Sequence, residues 1–263
     1  MDLSNIHVIT YTSYLPKTKY LQESEKLFNC KINYINGKWH GWYSKIDGIK
    51  DFINNCRDND IVILVDAHDV ILSGDIEEIY NKFKSYECDI LFGAELNCYP
   101  LFLKKDMDKI MPLDIKNKYI NSGGYVGYVS SIKKMLYWKE LDDLKEICKD
   151  GGDQTYVMKF FIEHHDKLNL KLDINSSIFQ NMHLILWKEL EINNGRVYNK
   201  IMKTYPCFVH FNGGSWRTEK KEWIIPTFIE LMKKSKENKN IFTLDEYEQL
   251  KKNDGKPKAE KQI

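Results

Sequence analysis

Two short segments of this sequence carry residues that can do chemistry. VDAHD sets Asp66 and Asp69 three residues apart, directly after the apolar run at 61–65. A buried strand feeding a tight turn presents both carboxylates at the carboxyl edge of a sheet, where open α/β folds bind ligands. Two oxygens converging there suit a hard divalent cation, Mg²⁺ or Mn²⁺, that also holds a diphosphate. An ordinary polar turn before a helix capped by Asp75 is the plainer alternative. The second segment, CFVHFNGG, ends an apolar run in His210, Asn212, Gly213 and Gly214. A neutral imidazole is a competent third ligand, and paired glycines let backbone N–H groups approach phosphate oxygens. A lone histidine after a strand is usually a hydrogen-bonded core residue. Both segments in one chain, each at a strand's end, point to a metal–diphosphate site.

The elements that must position these residues are legible in the first half. IHVITYT (6–12) and KINYIN (31–36) read as strands ended by Pro16 and Gly37, and DIVILVD (60–66) as a strand buried on both faces. Helical spacing of apolar residues runs over 17–28 and 45–56, and Ser73 or Asp75 can cap a helix reaching about Tyr86. CDILFGAE (88–95) is a fourth strand, and this alternation predicts an α/β domain with a mostly parallel sheet. In the second half, YINSGGYVGYVSS (119–131) reads as strand, glycine turn and strand, followed by a helix through Trp138. A helix is predicted over 153–164, strands at 168–173 and 205–211, and helices over 222–234 and 244–252. The predicted layout is one domain over 1–250 and a Lys-rich flexible tail or linker over 251–263.

Composition excludes several classes. Thirty-nine Lys and Arg against 38 Asp and Glu give a net charge of +1, too balanced for a nucleic-acid binder. The tail holds five Lys against Asp254 and Glu260, so the body over 1–250 is slightly acidic. With 43% hydrophobic residues the chain has a core to bury and is not disordered. The apolar run at 61–65 is far short of the roughly 20 residues a membrane span needs. The N-terminus lacks a basic region followed by an apolar one, so no signal peptide is expected and the chain reads as cytoplasmic. Six scattered cysteines without a C-x-x-C pair are expected as buried thiols. The sequon Asn175-Ser176-Ser177 matters only in a secretory compartment.

The blocks VDAHDVILSGD, LFGAELNCYP, YINSGGYVGY, GDQTYVMKFF, LNLKLDINSSIFQN and HFNGG occur in this order between positions 65 and 214. Weaker matches lie at VITYTSYL and KWHGWYSKIDGIK. Together they resemble the glycosyltransferase domain of the procollagen lysyl hydroxylase/glycosyltransferase family, and more loosely the collagen galactosyltransferases. The resemblance implies a GT-A-type fold with a Rossmann-like sheet, UDP-glucose as donor, Mn²⁺, and glucose transfer with retention to galactosyl-hydroxylysine of a collagen-like polypeptide. It also implies an endoplasmic-reticulum setting for secreted relatives, and a dimer as a conceivable assembly, with no nucleic-acid partner.

Carried over residue by residue, Asp66, Asp69 and His210 match the family's metal ligands. Trp39 and Lys45 match positions near uracil and phosphates, Asn212 and Gly213 the diphosphate-contacting segment, and Tyr11 and Thr12 fall in the first weaker match. His68 stands where the family has an aromatic residue inside the D-x-x-D loop, and could stack on uracil or contact the metal. Asp153 matches the last Asp of an acidic run that faces the donor sugar; here that run is KDGGDQ. Tyr99 replaces a Trp, and Trp216 stands where related transferases carry a Lys, leaving phosphate charge to Lys45, Arg217 or the metal.

A carboxylate near the anomeric carbon would stabilise oxocarbenium-like charge or attack it. Asp153 is the leading candidate, with an N-cap role as the alternative, and Glu95 is the second. Double displacement and front-face attack both remain open. Trp39, Trp42, Tyr43, Tyr99 and Trp216 could form stacking platforms or pack on the core. Asn121, Ser122, Gly123 and Gly124 are expected on the acceptor side, Gln180 and Asn181 as buried hydrogen-bonders, and His164 and His165 at a solvated helix end. The competing functions are transfer of galactose to hydroxylysine itself, and a non-catalytic collagen or glycan binder.

Overall fold

The computed structural model describes residues 3–112, 114–213 and 218–244. Strands β1 (Ile6–Thr12), β2 (Ile32–Asn36) and β3 (Ile61–Val65) lie parallel, with β1 in the middle. Helix α1 (Lys19–Glu25) crosses from β1 to β2, and α2 (Tyr43–Gly48) with α3 (Lys50–Asn54) crosses from β2 to β3. The acidic turn then leads into β4 (Val70–Leu72), α4 (Ile76–Ser85) and β5 (Ile90–Glu95). Asp75 caps α4, its carboxylate accepting from Glu78 N at 2.9 Å. Glu77 and Glu78 in the first turn and Lys82 and Lys84 in the last complement the helix dipole.

Helix α5 (Lys104–Ile110) precedes β6 (Tyr119–Tyr128), then α6 (Val129–Leu136), α7 (Leu141–Ile147), α8 (Asp153–His164) and β7 (Leu170–Asp173). The chain ends through β8 (Phe179–Asn181), β9 (Leu190–Asn193), β10 (Arg196–Asn199), β11 (Phe208–His210), α9 (Thr218–Asn238) and β12 (Phe242–Thr243). The main sheet has the order β2-β1-β3-β6-β5-β7, and only β6 runs against the rest. The expected mostly parallel sheet flanked by helices is therefore the observed one.

Alternation along the strands covers both faces. Ile9, Val62, Leu64, Ile90 and Phe92 meet the layer of α2, α3, α5 and α8 on one side, while Val8, Ile61, Ile63 and Leu91 meet Leu21, Ile79 and Phe83 on the other. A third cluster joins Ile71, Val209 and Phe211 to Ile225, Phe228 and Ile229 of α9.

Two smaller sheets, β4-β11-β8 and β10-β9-β12, complete the domain. In the first, Val70 pairs with His210, so the strand after the acidic turn lies beside the strand that ends in the histidine. Strand β11 lies within the strand expected over 205–211; the other strands of these sheets, two to four residues long, are too short to show a period and were not expected from the sequence. Nor were α5 and α7. Most of the helix expected over 244–252, and all of the tail at 251–263, lie outside the described residues.

The expected turn at Gly123-Gly124 is instead the interior of one ten-residue strand, β6. Its pairing with β5 slips between Phe92 and Gly93: Phe92 faces Tyr125, whereas Gly93 faces Asn121. Ser122, Gly123 and Gly124 thus form a bulge. The glycines permit close approach rather than a reversal. A Cβ on Gly124 would lie 2.6 Å from the Phe179 ring, and one on Gly123 only 2.1 Å from Cε1 of His210.

The six cysteines are free; Cys30, Cys88, Cys98, Cys148 and Cys207 are buried and Cys56 half-buried. Burial is the main cause that pushes Cys98 up to about 11 and Cys30, Cys88, Cys148 and Cys207 up to about 12. At pH ~8 the latter four hold only about one thiolate in 10⁴, and the thiolate is the nucleophile. Thiol titration of the native protein at that pH is expected to detect Cys56 first, with the other five reacting only as guanidinium unfolds the chain. Rapid native reaction of several thiols would contradict this packing.

Candidate active site

Asp66 follows β3 and Asp69 precedes β4, while His210 ends β11. Two backbone bonds tether the acidic turn: Asp66 N donates to Gly123 O at 2.9 Å, and Phe211 N donates to Asp69 O at 2.8 Å. The three residues each offer a ligand atom within 4.8 Å of one another. Nε2 of His210 lies 3.4 Å from both Asp66 Oδ2 and Asp69 Oδ1. Two hard carboxylate oxygens and one imidazole nitrogen fit a divalent ion of the Mg²⁺–Mn²⁺ kind, and no thiolate is present to favour a softer one. The bulge leaves the space the imidazole occupies, since any side chain at Gly123 would fill it.

Beside this cluster Lys45, near the start of α2, is buried with all three ammonium protons directed at acceptors. It donates to Asp66 Oδ1 at 2.6 Å, Ser122 O at 2.8 Å and Asp153 Oδ2 at 2.9 Å. Burial alone would lower its pKa, but the charges of Asp153 and Asp66 and the bond to Asp66 outweigh it, holding the ammonium above its ordinary range. Sequence reading brought Lys45 to the phosphates; the structure sets it between two carboxylates, linking the acidic turn to Asp153.

Asp153 is the first residue of α8, and the N-cap is Gly152, so the alternative capping role is not observed. Gly151 and Gly152 have φ of +79° and +72°, a left-handed conformation open to glycine. That turn feeds the carboxylate into the site, which gives a physical reason for glycines in KDGGDQ.

Glu95, at the end of β5, is buried and surrounded by carboxamides. Asn121 Nδ2 and Gln154 Nε2 donate to Oε1 at 3.0 and 3.2 Å, and Asn212 Nδ2 donates to Oε2 at 2.9 Å. Burial pushes its pKa up, and the Asn121 and Gln154 bonds, the His210 charge and the Asn212 bond offset part of that rise. Asn212 in turn accepts from Met182 N and His183 N at 2.9 and 3.0 Å. Gly213 has φ of +83°, and a Cβ there would lie 2.4 Å from His183 Nδ1. Glu95 and Asn212 are therefore joined in one buried network. Sequence reading missed the place of Gln154 in it, because nothing in GDQTYVMKFF distinguishes it from an exposed helix residue.

The remaining expected residues lie around this centre. Thr12 Oγ1 and His68 Nε2 share a 2.9 Å hydrogen bond, with the His68 side chain exposed on the acidic turn. Tyr11 is buried, its hydroxyl donating to Lys38 O at 2.7 Å, so it braces the loop that carries Trp39. Trp39 and Trp42 are exposed and meet edge to face at 5.3 Å, and Trp42 covers Gly152. Tyr99 is exposed, whereas Tyr43 is half-buried against the core. Asn121 Oδ1 lies 3.0 Å from His210 Nδ1, and the Ser122 carbonyl accepts from Lys45 at 2.8 Å. Gln180 and Asn181 are the buried hydrogen-bonders expected: the Gln180 amide N–H bonds Asn181 O, and the Asn181 amide N–H bonds Ala94 O. His165 is exposed at the end of α8, while His164 stacks on Phe160 at 4.4 Å. Trp216 and Arg217 lie outside the described residues.

A family model, the PLOD GT domain, matches residues 11–219. The multifunctional procollagen lysine hydroxylase and glycosyltransferase of Caenorhabditis elegans is 30% identical over 236 residues, covering 81% of this chain and 31% of that protein. The corresponding LH3 of Homo sapiens is 31% identical over 164 residues, covering 60% of this chain and 21% of its own. The chain thus spans less than a third of either relative. Among solved structures, the galactosyltransferase LgtC in complex with donor and acceptor sugar analogues aligns over 87% of this chain and 95% of its own. The TM-score is 0.50 at 13% identity, a likeness of fold. With the acidic turn, Lys45, Asp153 and the His210 strand all inside the matched span and set in a GT-A-type α/β sheet, this chain belongs to the family of the PLOD GT domain, the glycosyltransferase domain of the procollagen lysyl hydroxylase/glycosyltransferases.

Proposed function

We propose that this chain is a UDP-sugar-dependent hexosyltransferase that moves glucose from UDP-glucose to galactosyl-hydroxylysine in a collagen-like polypeptide, with retention. The observation that carries this reading is the convergence of Asp66, Asp69 and His210 within 4.8 Å of one another, one buried lysine away from Asp153. Asp66, Asp69 and His210 would hold Mn²⁺, which when bound supplies Lewis-acid stabilisation of a leaving diphosphate. Lys45 orients Asp66 from one side and Asp153 from the other. Asp153 contributes the negative charge that favours a cationic anomeric centre, either through space or by attack on it. Trp39, Trp42 and Tyr99, exposed beside the site, offer apolar faces for the uracil and sugar rings. His68, held by Thr12 Oγ1, would take the uracil base, and Gly213 would face the diphosphate.

The motifs bear on nucleotide and metal more directly than on the sugar, so the donor is the part to test. UDP release should be followed with UDP-glucose and UDP-galactose side by side, with Mn²⁺ and a galactosyl-hydroxylysine peptide. A rate at least about tenfold higher with UDP-glucose is expected, equivalent to about 1.4 kcal/mol of transition-state preference. Preference for UDP-galactose would move the assignment to galactosyl transfer onto hydroxylysine. Absence of UDP release with every hexose donor would replace catalysis by glycan or collagen binding.

A further inference from the structure

We propose that Asn121 and Asn181 are positioning residues that fix His210 in the Nδ1–H tautomer, so that Nε2 presents its lone pair toward Asp66 and Asp69. The inference rests on the metal-site reading for its purpose, but its geometry does not depend on a bound ion. Nδ1 of His210 lies 3.0 Å from Asn121 Oδ1 and 3.1 Å from Asn181 Oδ1. Carboxamide oxygen and nitrogen are normally interchangeable in such a contact. Here backbone groups remove that freedom.

Gly123 N, which can only donate, bonds Asn121 Oδ1 at 2.9 Å, and the other end of that carboxamide donates to the Glu95 carboxylate at 3.0 Å. Asn181 Nδ2 donates to the carbonyl of Ala94 at 3.0 Å, a group that can only accept. Both amide oxygens therefore face Nδ1, and a lone pair on Nδ1 would meet two acceptors. The proton belongs on Nδ1. With Nδ1 held as N–H, a neutral ring can offer a lone pair only from Nε2, which lies 3.4 Å from each aspartate oxygen, where a cation held by the two carboxylates would meet it. His210, Asn121 and Asn181 are all buried, which removes water as a substitute partner. The space left by Gly123 holds the ring edge in this orientation. Hydrogen bonding at one ring nitrogen setting the ligand state of the other is the general way a protein orients a metal-binding histidine.

The test reads the tautomer directly. In metal-free protein with ¹⁵N-labelled histidine, and with His210 signals assigned by their loss in His210→Gln, Nδ1 should be protonated. A neutral His210 protonated at Nε2 overturns the proposal, and this measurement needs no destabilising variant.

Asn121→Leu and Asn181→Leu should each weaken Mn²⁺ binding, measured from the electron paramagnetic resonance signal of free Mn²⁺, by about 10- to 100-fold. Each should also raise the Nε2–H population. Unchanged Mn²⁺ affinity together with unchanged ¹⁵N shifts in both variants would overturn it as well. If wild type bound no Mn²⁺, the metal reading would fall, while the ¹⁵N result would still decide the tautomer.

Discussion

Asp69→Ala is expected to lower metal-dependent UDP release by about 100- to 1,000-fold, the scale seen when one preorganised electrostatic group is removed from a transition-state site. The substitution separates charge from scaffold. The tether of the acidic turn to β11 runs through the backbone, with Phe211 N donating to Asp69 O at 2.8 Å, and alanine keeps that bond. The Val70–His210 pairing that follows is also backbone. Loss of the carboxylate therefore removes one of three clustered ligand atoms while the turn stays in place. Thermal unfolding should shift by only a few degrees, and Mn²⁺ binding should weaken in parallel with turnover. A variant that keeps more than half of the wild-type rate at saturating Mn²⁺ would remove Asp69 from the ligand set.

Asp153→Asn is expected to act differently, lowering kcat by about 100-fold or more while changing the donor KM only a few-fold. Asparagine matches aspartate in size, and Lys45 retains Asp66 Oδ1 and Ser122 O as partners, so the ammonium is not left alone. The buried charge is thus only partly uncompensated, and the stability loss should fall below the 3–5 kcal/mol typical of stripping a buried ion of its partner. What disappears is negative charge beside the reacting centre, felt more strongly in the transition state than in the bound donor. Steady-state kinetics with UDP-glucose, paired with direct UDP binding, distinguishes the outcomes. Equal losses in kcat and UDP affinity would reduce Asp153 to a residue that merely holds Lys45 in place.

The strands β1, β2, β3 and β5 were legible because each is a stretch of five or more residues rich in β-branched, aromatic or other apolar side chains and bounded by Pro, Gly or acidic turns, a local signal. The helix cap at Asp75 was legible for the same reason. By contrast, YINSGGYVGY misled, since adjacent glycines read as a reversal when taken alone. Their use became visible only with β5 on one side, which imposes the bulge, and with His210 and Phe179 packed against the two α-carbons. Glu95 read as a second catalytic candidate, and its hydrogen-bonded surroundings were not legible. Its three carboxamide partners come from β6, α8 and the end of β11, segments with no common spacing in the chain.

The sequence by itself determined the class of sheet, the presence of two polar segments at strand ends, and the residue types able to hold a cation there. These follow from periodicity and from the order of a few residues, both properties of a continuous stretch of chain. Only the tertiary structure decided that Asp69 and His210 meet, through the antiparallel pairing of β4 with β11, and that Lys45 bridges Asp66 and Asp153. It also decided which nitrogen of His210 faces the aspartates. Such facts depend on which strand edges pair and on which polar groups must find partners once water is excluded. Burial imposes those choices on residues distant in the chain.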